Sequence, residues 1–117
     1  MGLLQELESL GVNVKEGLER VMGDESLYEM MLGMFIESVQ TSPIDLTEFD
    51  GASLDGLTAK IHTLKGTTGN LSFTPLFTRY EQALGLLRAG KAAEAKAVYQ
   101  ELLPIQNDIL QCIRRNQ

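Results

Sequence analysis

The stretch Thr58–Leu71, TAKIHTLKGTTGNL, decides the fold and holds the only histidine of the chain. An α-helix turns by about 100° per residue, so positions that alternate by three and four residues share one side. Here that spacing predicts a helix with one largely apolar, buried stripe, formed by Leu54, Leu57, Ile61, Leu64, Thr68 and Leu71. His62 lies off the stripe, so the pattern predicts an imidazole that faces solvent.

Small or basic residues surround His62 on the predicted helix. Thr58, Lys65, Gly66 and Gly69 stand at the three-, four- and seven-residue spacings that make helical neighbours. Each helical glycine costs about 0.5–1 kcal/mol relative to alanine, and two of them clear side chains from around the histidine. Simpler interpretations remain open, because a lone histidine is usually an ordinary surface residue.

The two glycines differ in how easily a local role explains them. Gly69 with Asn70 is also typical of a helix C-cap, because both residue types tolerate the left-handed conformation. That alternative does not explain Gly66.

An exposed, uncrowded imidazole with a lysine one turn away suits phosphoryl chemistry. An imidazole keeps a large neutral fraction at neutral pH, so one ring nitrogen has a lone pair for attack on phosphorus. Lys65 can offset the charge of the phosphoryl group.

The segment HTLKGTTGNL, His62 to Leu71, resembles the motif of the histidine-containing phosphotransfer (HPt) family. That motif has a histidine, a lysine three residues later, a glycine four residues later, and then glycine-asparagine-leucine. The resemblance implies that His62 is the phosphoacceptor, Lys65 its charge partner, and Gly66 the opening through which a donor aspartate reaches. The sequence departs from the family at Thr68, usually alanine or serine, and at Ser72-Phe73, commonly glycine-alanine. We therefore expect a differently built helix end.

The resemblance also implies a docking face around the histidine, with Thr58, Ala59 and Gly69 on the same helix. Arg88 is a further candidate for docking an acidic partner site, although a solvated charge at a helix end is an equally simple interpretation.

Composition limits the other function classes. The 117 residues fit one domain, and a net charge of −6 without a basic run argues against nucleic-acid or membrane binding. We therefore expect a protein partner. The single cysteine, Cys112, excludes an internal disulfide, and with one histidine it gives no ligand set for zinc. The first ten residues do not read as a targeting signal, so we expect a cytoplasmic protein or fragment.

Residues 1–23 predict two short helices that end at Gly11 and Gly23. Asn13 is the expected N-cap of the second helix, with Glu16 as its reciprocal partner. The two helices could pack as a lid on the remaining helices or form an apolar docking surface for a partner. The lid is the commoner arrangement.

A long helix is expected from a cap at Asp24 or Ser26 to about Phe49, with a kink at Pro43. Ser53 is expected to cap the histidine helix. Three methionines should widen the buried side of the long helix as core filler: Met30, Met31 and Met34.

The last two helices have clear boundaries in the sequence. Thr74 is the expected N-cap of the first, with Pro75 at its first helical position, and Gly90 ends it. The second should run from about Lys91 to Arg115, with a kink at Pro104 and Cys112 buried. Arg114 and Arg115 fall in the final turn, where cations favour the helix dipole.

These elements predict an all-α chain in which residues 24–115 form an antiparallel up-down-up-down four-helix bundle behind the two short helices. With the family resemblance, they indicate a monomeric phosphocarrier that exchanges a phosphoryl group with receiver domains of response regulators or of a hybrid sensor kinase. Such a receiver supplies the magnesium ion. This chain needs no cofactor of its own and is not an independent enzyme. The alternative is a helical adaptor that binds a receiver or a partner helix without carrying phosphate.

Overall fold

The computed structural model describes residues 2–116, and within them the chain is all-helical, with no β-strand. A short 3-10 helix, Leu46–Asp50, lies between the third and fourth of six α-helices. These helices are α1 Leu3–Ser9, α2 Val14–Arg20, α3 Glu25–Thr41, α4 Asp55–Asn70, α5 Thr74–Arg88 and α6 Ala92–Arg115.

The predicted buried stripe of α4 is confirmed. Leu57, Ile61 and Leu64 are buried, and so is Leu71 just after the helix. Thr68 is also fully buried, and its hydroxyl donates to the Leu64 carbonyl at 2.8 Å, so its polar group is satisfied inside the core.

Helices α4 and α5 run antiparallel. Lys65 of α4 forms an ion pair with Glu81 of α5, and Gly69 packs against Phe77. A step of four residues forward along α4 is therefore matched by a step of four residues backward along α5. Helix α5 also packs extensively against α6, and α3 contacts both α4 and α6.

The core is formed by apolar side chains from all the helices. Phe35 and Phe73 meet edge to face with ring centroids 5.1 Å apart, a favourable arrangement for aromatic pairs. Cys112 is buried, as predicted, and burial raises the pKa of its thiol. Burial also raises the pKa of Tyr28 to about 12.

The two short N-terminal helices pack on the rest of the chain, which confirms the lid. Leu7, Val12 and Val14 are buried in the common core. Glu6 of α1 accepts a hydrogen bond from Arg115 of α6 at 3.0 Å, and this contact lowers the pKa of Glu6. Arg115 therefore has a structural partner.

The N-caps of α2 and α3 are confirmed. Asn13 Oδ1 accepts from the Glu16 amide at 3.1 Å, and Asp24 Oδ1 accepts from the Leu27 amide at 3.1 Å. The reciprocal role expected of Glu16 is wrong. Its carboxylate instead accepts hydrogen bonds from Ser72 and Arg20.

The expected continuation of the long helix to Phe49 is wrong. Helix α3 ends at Thr41, because the residue before a proline is pushed out of the helical region, and Pro43 therefore follows the helix instead of kinking it. The chain becomes helical again in the 3-10 helix Leu46–Asp50, in which Phe49 is buried.

Two of the three methionines expected in the core are exposed. Met30 and Met34 are each 58% exposed, whereas Met31 is partly buried. Each exposed methionine lies two residues, or about 200°, from a buried residue of the same helix, Tyr28 or Leu32.

Two helix starts differ from prediction by one residue. Leu54, not Ser53, is the N-cap of α4, and the Ser53 hydroxyl reaches the Asp55 amide only at 3.5 Å. Thr74 is the first residue of α5 rather than its cap. Helix α6 continues through Pro104 to Arg115, as predicted, and the kink at Pro104 stays a prediction.

Candidate functional site

His62 is exposed on α4, as predicted from its position off the buried stripe. Ile61 before it and Leu64 after it are both buried, so they fix the helix against the core and aim the His62 position outward. Lys65 and Gly66 follow one turn later, on the same side of the helix as the histidine.

Gly66 lies inside a regular helix and borders open space. A Cβ atom built on Gly66 would meet no atom within 4 Å beyond its immediate helical surroundings. Its backbone does not adopt the left-handed conformation that favours glycine, and no neighbouring helix requires a small residue there. Neither local strain nor packing therefore accounts for this glycine.

Gly69 is a glycine for a different reason. A Cβ atom at this position would lie 3.0 Å from Cδ1 and 3.1 Å from Cε1 of Phe77, which is a close approach between α4 and α5. The C-cap interpretation of Gly69 is wrong, because α4 continues to Asn70. The left-handed residue is Ser72, with a φ of 57°.

Lys65 is only 29% exposed in its side chain and lies between the histidine and α5. Its Nζ atom is 3.9 Å from Oε2 of Glu81, within ion-pair range but beyond a normal hydrogen bond. The other lysine of α4, Lys60, is held more firmly, at 2.9 Å from Glu48 Oε1 and 2.9 Å from the Pro43 carbonyl. The hydrogen bond from Lys60 lowers the pKa of Glu48.

The antiparallel register of α4 and α5 locates the remaining candidate residues. Ala59 is exposed and Thr58 half-buried on α4, and Arg88 is exposed in the last turn of α5. Lys65 of α4 lies opposite Glu81 of α5. Thr58 is about two turns before Lys65, and Arg88 is about two turns after Glu81, so Thr58 and Arg88 lie at the same level of the helix pair. Arg88 is therefore level with the beginning of the histidine face.

Gly85 was not among the residues picked out by the sequence. It is exposed inside α5, and a Cβ atom built on it would meet nothing within 4 Å. The register places Gly85 about one turn beyond the level of Lys65, at the height of Ile61 and His62 on the adjacent helix. A glycine inside the amphipathic helix α5 could have been singled out from the sequence as unusual. Only the register between α4 and α5 connects it with the histidine.

A groove of about 550 Å³ runs beside Lys65 and Gly66 between α4 and α5. Phe77 and Gly69 line its middle, and residues of α2 line its far end. Its lining includes Lys65 and Gly66, the neighbours of His62 along the helix, but not His62 itself.

A partly buried hydrogen-bond network holds the end of α4. Ser72 is buried, and its hydroxyl donates to Glu16 Oε1 at 2.8 Å and accepts from Arg20 Nε at 3.3 Å. The hydrogen bonds from Ser72 and then Arg20 lower the pKa of Glu16. The Tyr28 hydroxyl donates to the Leu71 carbonyl at 2.8 Å. The helix end is thus built around a left-handed serine, Ser72.

Comparisons of this chain with protein-family models, curated proteins and solved structures find no match. Within residues 2–116, no cluster of three or more histidine, cysteine or carboxylate side chains could hold a metal ion. In the same range, no helix combines the length and the apolar character needed to cross a membrane.

Proposed function

We propose that this chain is a phosphocarrier of a two-component phosphorelay, with His62 as the phosphoacceptor. The observation that carries the proposal is an exposed histidine with Lys65 and the open backbone of Gly66 one turn away. The motif HTLKGTTGNL resembles the HPt family, and the proposal includes that family's fold, an antiparallel up-down-up-down four-helix bundle made by α3 to α6. The antiparallel pair α4 and α5 is compatible with it.

The proposed step is a transfer between an aspartyl phosphate and the imidazole. The lone pair of one ring nitrogen of His62 attacks phosphorus, so an N–P bond forms while the acyl O–P bond breaks. The aspartate leaves as a carboxylate, and the other ring nitrogen keeps its hydrogen. The reverse step passes the phosphoryl group to the aspartate of a second receiver.

Each neighbour of His62 has a defined part in this proposal. Lys65 is close enough along the helix to offset the charge of the phosphoryl oxygens. Gly66 leaves room for a receiver, whose aspartyl phosphate must approach the ring nitrogen to about 3–3.5 Å. In this proposal the docking face also includes Thr58, Ala59 and Gly69 of α4. On the adjacent helix α5 it includes Gly85 and Arg88.

The receiver supplies the magnesium ion and the remaining catalytic groups, since phosphoryl transfer depends mainly on positioning and charge stabilisation. We therefore propose no cofactor of this chain's own and no independent enzymatic activity. The expected form is a monomer that docks one receiver at a time.

Transfer from phosphorylated receivers tests this function. A panel of receivers from the same source is labelled with radioactive phosphate and mixed with the chain. At least one receiver is expected to label the chain with an acid-labile, alkali-stable adduct, and a second receiver should remove the label. A chain that stays unlabelled by every receiver and by phosphoramidate, a small-molecule donor, contradicts the proposal.

The alternative is an adaptor that binds a receiver or a partner helix without carrying phosphate. The exposed Met30 and Met34 favour this alternative, because they give α3 an apolar surface that a partner could cover. Binding of a receiver without labelling of His62 under any donor would support the adaptor.

A further inference from the structure

Glu81 is the only carboxylate within ion-pair range of Lys65 among residues 2–116. The pair joins the histidine helix to α5, and Glu81 is 57% exposed in its side chain. The separation of 3.9 Å is longer than each of the contacts that hold Lys60 to the 3-10 helix and the Pro43 carbonyl. Glu81 thus holds Lys65 less closely than Glu48 and Pro43 hold Lys60.

A phosphoryl group on His62 would compete with Glu81 for Lys65. A phosphoryl group carries nearly two negative charges near neutral pH, whereas a carboxylate carries one. At similar distances the ammonium of Lys65 is therefore attracted about twice as strongly to the phosphoryl group. Lys65 is one turn from His62 on α4 and forms an ion pair with Glu81 on α5. Lys65 can therefore interact with either the phosphoryl group on His62 or the Glu81 carboxylate.

We propose that Glu81 is a positioning residue that holds Lys65 before phosphorylation and limits how strongly Lys65 stabilises the phosphorylated histidine. This inference rests on the proposed phosphocarrier function. Glu81 acts through Lys65: it anchors the ammonium toward α5 and releases it to the phosphoryl oxygens once the N–P bond has formed. The adduct is thereby kept labile enough to be passed on.

The half-life of the adduct tests this inference. The parent chain and three variants are labelled with phosphoramidate, and loss of label is followed at neutral pH: Glu81→Gln, Lys65→Ala and the double variant. Freed Lys65 should lengthen the half-life of Glu81→Gln about two- to five-fold, the range expected for an exposed ion pair. In the Lys65→Ala background the same substitution should have no effect.

Two control variants separate this role from general charge and structural effects. Glu101→Gln removes the same charge from an exposed position of α6 and should leave the half-life unchanged. Glu81→Asp keeps the charge but shortens the side chain, so its half-life should fall between those of the parent and Glu81→Gln, because the pair is already 3.9 Å apart. Thermal melting of all variants should agree closely with that of the parent.

The outcomes distinguish the two proposals. An equal effect of Glu81→Gln with and without Lys65 means that the carboxylate acts on the phosphoryl group directly, which overturns the inference. No effect in either background also overturns it. If His62 takes no label from any donor, the phosphocarrier function itself fails, and the inference fails with it.

Discussion

Substitution of Gly66 should move stability and phosphoryl transfer in opposite directions. Gly66 lies in the interior of α4 with no atom within 4 Å of a built Cβ atom, so alanine fits without displacing a neighbour. Alanine also restricts the unfolded chain, and we expect Gly66→Ala to raise the free energy of unfolding by about 0.5–1 kcal/mol. For a domain of this size the midpoint of thermal unfolding should rise by about 2–6 °C.

Gly69→Ala provides the contrast within the same helix. Its added Cβ atom would come within 3.0 Å of the Phe77 ring, tighter than ordinary van der Waals contact. The gain from helix propensity is then offset by displacement of the ring, so we expect a smaller gain than at Gly66, or a loss. Thermal melting of the two variants side by side measures this difference.

A larger side chain at Gly66 tests the docking face. Gly66→Gln should remain folded, because the side chain extends into open space, but it should slow transfer from a receiver at least ten-fold by keeping the phosphoryl group from the imidazole. Gly33→Gln is the matched control. Gly33 also has nothing within 4 Å of a built Cβ atom, and it lies on α3, outside the proposed docking face of α4 and α5. Parental transfer rates in Gly66→Gln would show that the open backbone of Gly66 is not needed for a receiver to dock.

Lys65→Ala should shorten the half-life of the adduct several-fold without abolishing labelling, because an exposed charge contact contributes less than about 1 kcal/mol; label decay measures it. Gly85→Gln should slow receiver transfer while leaving labelling by phosphoramidate unchanged, which would separate docking from chemistry. Tyr28→Phe should lower the free energy of unfolding by about 1–2 kcal/mol in denaturant titrations, because the Leu71 carbonyl loses its buried donor. Burial raises the pKa of Tyr28 and of Tyr99 to about 12, whereas an unfolded tyrosine titrates near about 10. The unfolded state therefore loses protons first, and stability measured against pH should fall between about 10 and 12.

The sequence predicted the helix faces well because burial follows helical periodicity directly. The stripe on α4 and the exposed position of His62 needed only the angle of about 100° per residue. Beyond Thr41, helical spacing predicted the wrong structure. Leu46 and Phe49 kept the spacing of the long helix although they lie in a separate 3-10 helix, since a short segment packed on the core also needs apolar residues. Pro43 was the stronger signal.

The candidate site could be predicted only in part. Residues near His62 on the same helix follow from sequence spacing, and the structure places Lys65 and Gly66 one turn from it. The ion pair with Glu81 and the contact that explains Gly69 depend on the register between α4 and α5, which sequence periodicity does not fix. Gly85 was missed for that reason.

The most direct measurement of the central claim is phosphoryl transfer to the parent chain and to His62→Gln. The parent should take up label from a phosphorylated receiver as an acid-labile adduct, and mass spectrometry should locate it on the His62 imidazole. His62→Gln should take up none. Because His62 is exposed, the variant should unfold within about 0.5 kcal/mol of the parent, so loss of label would reflect chemistry and not misfolding. Label retained by a folded His62→Gln chain would contradict the account.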